Sequence, residues 1–455
     1  MKYQIIFLLA IIALTGNSQK DSLTTRKIFN TALLSNQIYE DLGVLCKESP
    51  GRLCGSDNAA KAINLLSGML KDAGADTVYL QECMVRKWDR GKIEKCLVSS
   101  KSGGTFETDI CALGGSVSTP EKGITAQVIE LKNFDDLAKA GKEKINGKIV
   151  FFNQPLNPEH YYTFNAYGEF AKLRVYGAKE ASAYGAVAVI VRSMTLKTDN
   201  QPHTGIMRYK DAAVQIPGAA ISTVDADRLS LSLKNDSALT VSLTLDCKEL
   251  PEVPSYNVIA EIKGSEFPDE YIVAGGHTDA WDNGEGAHDD GAGCVQSINI
   301  LRIFKQAEIK PRHTLRIIMF MDEEVDQRGA KKYAESVSQK KEKHILALES
   351  DRGGYTPHGF SMEISKELYE KVIQWKKHFL MYGVWFFEIG GSGVDVGPLA
   401  KLGIPCMGLV TDSQRYFDIQ HAPSDTFDKV NKRELQLGSA AMATMIWFFD
   451  QYFAQ

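Results

Sequence analysis

Residues Gly275–Gly293, GGHTDAWDNGEGAHDDGAG, are the stretch that decides the predicted fold. An apolar segment typical of a buried strand, YIVAG, leads into this glycine-rich turn, and an apolar helical pattern follows it. In α/β folds, loops at the carboxyl ends of the strands collect polar groups into a crevice. His277, Asp279 and Asp289 bring imidazole and carboxylate groups to this loop, and zinc binds both groups. The stretch therefore predicts an α/β fold with a metal site at a strand end.

Later strand ends should then carry the remaining ligands, and three segments fit that expectation. MDEE closes the apolar run LRIIMF at residues 322–324, and ESD closes ILAL at residues 349–351. QHAPSDT follows at residues 420–426. These segments supply further acidic and imidazole groups beside those of the first loop.

The ligand types and their number fit two adjacent zinc ions, which need one shared carboxylate and two further ligands each. Asp289 is predicted to be the shared carboxylate. His277 and Asp351 would bind one ion. Glu324 and His421 would bind the other. The expected cofactor is therefore a pair of zinc ions, with a coordination position left for a shared water.

Two acidic residues beside these ligands are assigned to catalysis. Glu323 has no metal to bind in this arrangement and is placed to take a proton from the attacking water and pass it to the leaving amine. Asp279, two residues after His277, is predicted to accept the proton of the second imidazole nitrogen and to fix its tautomer. Glu349 stays an alternative to Asp351 as a ligand, although Asp351 lies further into the loop.

Length, composition and missing motifs exclude several classes of protein. At 455 residues the chain exceeds what one hydrophobic core usually supports, so two or three domains are expected. A net charge of -5, without a basic stripe, argues against a nucleic-acid partner. The sequence contains no G-x-S-x-G elbow, no H-E-x-x-H and no G-x-x-x-x-G-K-[ST], which disfavours serine hydrolases, single-zinc endopeptidases of the helix type and phosphate-loop enzymes.

Residues 1–18 are predicted to be a cleaved signal peptide. A lysine precedes an apolar run of ten residues, Ile5–Leu14, and small residues follow it. That run is shorter than the roughly 20 residues that span a bilayer. The mature protein is therefore expected to be exported, periplasmic or secreted, without a membrane span.

The rest of the chain is predicted to form a peptidase-type domain interrupted by an insert. Residues 22–113 would be its first part, residues 114–250 an inserted β-rich domain, and residues 251–455 the second part, which carries the metal site. Strands alternate with helices in this second part. Such alternation is typical of a mostly parallel mixed sheet covered by helices on both faces.

Several motifs resemble the co-catalytic di-zinc exopeptidases, a family that includes bacterial leucyl aminopeptidases and glutamate carboxypeptidases. They are GRLCGS at residues 51–56, the stretch quoted first, ALESDRGG at residues 347–354 and HAPSDTFD at residues 421–428. INGKIVFF and GAVAVIV in the insert are similar to a protease-associated domain. The resemblance covers nearly the whole mature chain.

This resemblance implies the same roles for the ligands, for Glu323 as base and for Asp279 as orienting residue, together with a cis peptide between Asp289 and Asp290. It implies hydrolysis of dipeptides or short peptides by a hydroxide that bridges the metals, in a homodimer.

Relatives commonly carry His or Tyr just before the last ligand, where this chain has Gln420. We predict that the Gln420 amide donates a hydrogen bond to the developing oxyanion.

Two alternatives stay open at this stage. The enzyme could be an aminopeptidase rather than a dipeptidase. The transferrin receptor has a similar fold with a protease-associated insert but is a binding protein, so a fold alone does not establish a peptidase. The complete set of ligands and base favours an enzyme, because clustered carboxylates repel one another without a metal.

Overall fold

The computed structural model describes residues 19–101 and 103–453. The predicted signal peptide, residues 1–18, lies outside this range. Within it, no helix combines the length and apolar character needed to cross a membrane. The helices are α1 (residues 19–34), α2 (Gln37–Glu48), α3 (Asp57–Asp72), α4 (Phe134–Ile145), α5 (Thr163–Ser182), α6 (Thr223–Asn235), α7 (Ala292–Gln306), α8 (Arg328–Lys340), α9 (Lys366–Val372), α10 (Gly397–Ala400) and α11 (Lys432–Tyr452).

The strands form two eight-stranded sheets. Their bounds are β1 (Thr77–Asp89), β2 (Glu94–Ser100), β3 (Gly104–Glu107), β4 (Ile110–Ala112), β5 (Ile124–Leu131), β6 (Ile149–Phe152), β7 (Ala188–Arg192), β8 (Gly218–Ile221), β9 (Thr240–Leu245), β10 (Lys248–Ile262), β11 (Phe267–His277), β12 (His313–Phe320), β13 (Lys343–Glu349), β14 (Pro357–Glu363), β15 (Phe386–Ile389) and β16 (Cys406–Thr411).

The first sheet has the order β1-β10-β12-β11-β13-β16-β14-β15. Its centre is parallel, because β11 pairs in parallel with β12 and β13, and β13 pairs in parallel with β16. Antiparallel pairs join β10 to β1 and β12, and β14 to β16. The sheet is therefore mixed, with a parallel core, as the alternation of strands and helices predicted.

Both faces of this sheet are covered. The strand β12 is buried along its whole length, so its side chains alternate between two cores. Ile317 and Met319 pack in the core that also contains residues of α7 and α11. Ile318 and Phe320 face the opposite core, which contains residues of α8 and α10. This double burial explains why the sequence of β12 is a continuous apolar run.

The register of the parallel strands brings the predicted site residues to one edge. His277 is the last residue of β11 and is paired with Phe320, the last residue of β12. Gly275 in β11 is paired with Glu349, the last residue of β13. The loops that follow these strands therefore leave the sheet side by side.

The second sheet has the order β3-β2-β9-β5-β6-β7-β8-β4, with parallel pairing from β5 to β8 and antiparallel pairing elsewhere. Its strands run from Glu94 to Leu245, so three of them, β2, β3 and β4, precede residue 114. Helices α4, α5 and α6 lie between its strands in sequence, so this part is α/β rather than β-rich alone. The domain boundaries at residues 113 and 250 and the protease-associated character of the insert stay predictions.

Candidate metal centre

His277 is fully buried at the end of β11. Its Nδ1 lies 2.9 Å from the backbone carbonyl oxygen of Asp279, whereas the Asp279 carboxylate oxygen Oδ1 is 3.9 Å away. The carbonyl, and not the predicted carboxylate, therefore accepts the Nδ1 proton. This hydrogen bond leaves Nε2 as the nitrogen with a free lone pair.

The Asp279 carboxylate has a different set of partners. It accepts backbone N–H groups from Asp322 at 2.8 Å, Glu323 at 3.2 Å and Glu324 at 3.3 Å. These three residues form the loop after β12 that carries the predicted base and a predicted ligand. Asp279 thus fixes the backbone of the neighbouring loop and reaches His277 through its own carbonyl.

Asp289 lies between the two histidines of the site. Its Oδ1 is 3.3 Å from His277 Nε2 and its Oδ2 is 3.3 Å from His421 Nε2. The peptide bond between Asp289 and Asp290 is cis, as the family resemblance implied. Asp425 accepts the backbone N–H of Asp289 at 3.1 Å and so helps to hold this turn.

Asp351 and Glu349 point in different directions. Asp351 Oδ1 lies 3.3 Å from His277 Nε2. Glu349 instead accepts the backbone N–H groups of Val394 at 3.1 Å and Val396 at 2.8 Å, which belong to the segment before β16. Of the two carboxylates that the sequence left open, Asp351 is the one beside the histidine.

Glu324 and His421 form the other half of the cluster. Glu324 Oε2 is 3.1 Å from His421 Nε2 and accepts a hydrogen bond of 2.6 Å from the indole of Trp281. His421 Nδ1 lies 3.3 Å from the carbonyl oxygen of Thr204, which belongs to the segment between β7 and β8. The second-sheet part of the chain therefore supports a predicted ligand, which the sequence did not indicate.

Glu323 lies at the edge of the cluster, with Oε2 3.9 Å from His277 Nε2. Burial raises the pKa of Glu323 well above its usual value, and the charges of Asp351 and Glu324 raise it further against the opposing charge of His277. Its side chain also lines the adjoining cavity. This is the environment expected of a proton carrier rather than of a surface carboxylate.

The donor set fits a divalent metal such as zinc. Ligand atoms of Asp289, Glu324 and His421 lie within 4.8 Å of one another. His277 Nε2 and Glu324 Oε1 are buried and have no hydrogen-bond partner among the described residues. Buried polar atoms are rarely left in that state, and imidazole nitrogens with carboxylate oxygens are zinc ligands.

The charges of the cluster call for a cation. Burial lowers the pKa of His421, but the charges of Glu324 and Asp289 outweigh that effect and raise it to about 10.

Asp290 lies near His277 as well, yet its oxygens accept the backbone N–H groups of His277 and Gly293, both at 3.0 Å. We therefore do not count Asp290 among the donors.

A cavity of about 320 Å³ adjoins the cluster. Its wall includes Glu323, Glu324 and His421 of the first-sheet part, together with Phe164 and Arg174 of α5. Gln420, the predicted oxyanion donor, and Tyr416 also line it. Sequence analysis missed Tyr416, Trp281 and the α5 residues; only Trp281 gave a signal, because it stands inside the stretch quoted first.

Comparison with known proteins agrees with this geometry. The model of peptidase family M28 matches residues 257–446. Carboxypeptidase Q of Mus musculus is 31% identical over 412 residues, which are 90% of this chain and 85% of that protein. The chain belongs to peptidase family M28. Among the members of the family that the motifs resemble, the sequence is most similar in its motifs to carboxypeptidase Q. That resemblance is confirmed, and so is the predicted enzyme class, a metallo-exopeptidase.

Two solved structures have the same fold. The peptidase M28 precursor from Shewanella amazonensis superimposes with a TM-score of 0.92 at 34% identity, covering 96% of this chain and 98% of that one. A zinc aminopeptidase from Bacillus subtilis gives a TM-score of 0.66 at 19% identity, covering 92% and 96%, which shows a shared fold alone.

Proposed function

We propose that this M28 peptidase is an exported exopeptidase that uses two zinc ions to hydrolyse dipeptides or short peptides. The observation that carries the proposal is the position of Asp289, whose two oxygens lie 3.3 Å from two different histidines, His277 and His421. A carboxylate in that position suits a ligand shared by two metal ions. The name of the relative carboxypeptidase Q supports an exopeptidase.

Five side chains would hold the metals. His277 and Asp351 would bind one ion, Glu324 and His421 the other, and Asp289 both. Zinc bound there would polarise the scissile carbonyl and lower the pKa of a bound water. The hydrogen bonds from Trp281 to Glu324 and from His277 to the Asp279 carbonyl would orient these ligands.

Glu323 would carry the proton of the reaction. It takes one proton from water as the water oxygen bonds to the carbonyl carbon of the peptide. It gives that proton to the leaving nitrogen as the carbon–nitrogen bond breaks, which releases an amine and a carboxylic acid. A raised pKa suits both steps, because burial makes the carboxylate a stronger base toward the water than an ordinary glutamate is.

Gln420 would stabilise the developing oxyanion. Its side chain lines the cavity beside the metal cluster, and its backbone carbonyl is held at 2.7 Å by His203 Nδ1. An amide N–H aimed at the carbonyl oxygen would act mainly on the transition state. Tyr416 lines the same cavity and is the alternative donor.

The proposal is tested with purified protein and elemental analysis. We expect two zinc equivalents per chain, loss of dipeptide hydrolysis after chelation, and recovery on adding zinc. A panel of dipeptides, tripeptides and amino-blocked dipeptides would then separate dipeptidase from aminopeptidase activity. Hydrolysis that persists in metal-free protein would refute the proposal.

Two further predictions from the sequence, export and a homodimer, need separate measurements. The amino-terminal sequence of the mature protein tests export, and the mass of the protein in solution tests the homodimer.

A further inference from the structure

His421, a predicted metal ligand, has a backbone conformation that residues other than glycine adopt uncommonly. Its φ is +60°, in the left-handed region. Such a conformation persists only where the surrounding structure stabilises it. The two backbone dihedral angles of His421 are set by the peptide planes on either side of its α-carbon, so the contacts of both planes decide where the imidazole points.

Residues 203 and 204, between β7 and β8, contact both of these planes. The Gln420 carbonyl, in the plane before His421, accepts a hydrogen bond of 2.7 Å from His203 Nδ1. The His421 carbonyl, in the plane after it, accepts the backbone N–H of Thr204 at 2.9 Å and the side-chain amide of Asn283 at 3.1 Å. Among residues 19–101 and 103–453, His203 is the only donor to the Gln420 carbonyl. The orientation of the first plane therefore depends on His203.

His203 is itself fixed to the second sheet. Its backbone N–H donates to Ser193 Oγ at 2.9 Å, and that hydroxyl donates to the Ile221 carbonyl at 2.7 Å. Ser193 directly follows β7, and Ile221 is the last residue of β8. The imidazole is 3% exposed, and its Nε2 has no hydrogen-bond partner in the described part of the chain. A buried ring nitrogen without a partner is unfavourable, so the bond from Nδ1 is the polar function of this side chain.

The histidine of the other predicted metal position is supported within the first-sheet part. His277 Nδ1 donates to the Asp279 carbonyl at 2.9 Å, and its backbone N–H donates to Asp290 at 3.0 Å. Asp351, the second ligand at that position, lies just after β13 of the first sheet. The two metal positions thus differ in the part of the chain that supports their histidines.

We propose that His203 is a positioning residue of the metal centre, which keeps His421 in place as a ligand by fixing the Gln420 carbonyl. The inference rests on the proposed two-zinc function. Without the bond from His203, the peptide between Gln420 and His421 can rotate, and His421 can leave the left-handed region. The position formed by Glu324 and His421 should then bind its ion weakly, while the position formed by His277 and Asp351 should not change.

The test compares two amide side chains at position 203. In asparagine the amide nitrogen can occupy the place of the imidazole Nδ1, whereas in glutamine it lies near the place of Nε2. His203→Asn should therefore retain the hydrogen bond to Gln420, and His203→Gln should lose it. We expect competition with a chromophoric chelator to show one native zinc affinity in both variants. The second zinc affinity should fall by about 10- to 100-fold in His203→Gln alone.

A role for His203 in packing alone predicts another result, because glutamine is closer to histidine in volume than asparagine is. His203→Asn would then lose more zinc affinity than His203→Gln, which would overturn the proposal. Native affinity for both ions in His203→Gln would overturn it as well.

His344→Gln is the matched control for a general loss of stability. His344 is also a buried imidazole, and its Nε2 lies 2.7 Å from the Tyr333 hydroxyl. It lies at the start of β13, at the end of the strand remote from Asp351. This variant should bind both ions with native affinity. Loss of one ion here too would assign the effect to general destabilisation and overturn the proposal.

Hydrogen exchange separates this inference from the proposed function, because it does not depend on zinc or on hydrolysis. The full mature chain, as purified, is compared with both variants at position 203. The reporters are the backbone N–H of Thr204, which donates to the His421 carbonyl, and that of Ala422, which donates to the Ile419 carbonyl at 3.0 Å. About 10-fold faster exchange at these amides in His203→Gln, but not in His203→Asn, supports the positioning role even if no zinc is bound. Equal exchange in all three proteins overturns it even if peptides are hydrolysed.

Discussion

The indole of Trp281 donates a hydrogen bond of 2.6 Å to Glu324 Oε2. Both side chains are buried, and Gly114 leaves the room that the Trp281 ring occupies, because a β-carbon at Gly114 would overlap that ring. Gly114 belongs to the segment between β4 and β5, so a residue from the second-sheet part sets the position of a ring that orients a predicted ligand. The two parts of the chain are thus joined through the metal centre.

Removing this hydrogen bond should weaken metal binding. Trp281→Phe keeps an aromatic ring in the pocket but has no N–H to offer Glu324. We expect the zinc affinity to fall by about 10- to 100-fold, as it does when the partner of a ligand is lost. Competition with a chromophoric chelator measures the affinity, and an unchanged dissociation constant would show that Trp281 serves packing alone.

Glu323 should be needed for turnover but not for metal binding. Glu323→Gln retains the shape of the side chain and removes its ability to take a proton. We expect kcat to fall by about 100- to 10,000-fold, the usual contribution of a general base. Zinc content by elemental analysis should stay at the native level; loss of one ion would instead make Glu323 a ligand.

The oxyanion donor can be identified by two substitutions in the cavity wall. Gln420→Ala should lower kcat by about 100-fold with little change in KM, because the lost hydrogen bond forms in the transition state. Tyr416→Phe, which removes only a hydroxyl, is the comparison. If Tyr416→Phe gives this result and Gln420→Ala does not, the donor is Tyr416 and the assignment of Gln420 is wrong.

Much of the first sheet could be predicted because its residues signal their environment locally. The runs YIVAG, LRIIMF and ILAL are apolar throughout, as strands buried on both faces must be, and polar groups follow each of them directly. His277, Asp289, Glu324, Asp351 and His421 were therefore found at strand ends or in loops. The sequence could not tell which atom of Asp279 meets His277, because the carbonyl and the carboxylate belong to one residue.

The remaining features depend on contacts between distant segments. Arg174 lies in α5, a helix whose sequence shows only a weak apolar stripe. It precedes His421 by 247 positions in the sequence, yet its Nη1 lies 3.5 Å from His421 Nδ1. The sequences of β2 and β4 gave no sign that these strands pair with β9 and β8, because strand partners across more than 100 residues leave no local pattern. Such features follow from tertiary packing, which periodicity does not encode.

His344 should make the stability of the fold depend on pH. Its Nε2 lies 2.7 Å from the Tyr333 hydroxyl, and its Nδ1 is buried without a hydrogen-bond partner among the described residues. Burial, aided by the charge of Arg316, lowers the pKa of His344 from 6.5 to about 4. Below pH 6.5 the unfolded chain binds a proton at this residue while the folded chain does not, so acid favours unfolding.

We therefore expect the free energy of unfolding to fall between pH 6.5 and pH 4, with about 3 kcal/mol of the loss due to His344. His344→Gln has no titrating group and should show a shallower pH dependence over this interval, while its stability at pH 7 falls by about 1 kcal/mol for the weakened hydrogen bond. Denaturant unfolding at a series of pH values measures both. Tyr333→Phe removes the partner but keeps the buried imidazole, so its pH dependence should stay steep. Equal slopes for native protein and His344→Gln would contradict the prediction.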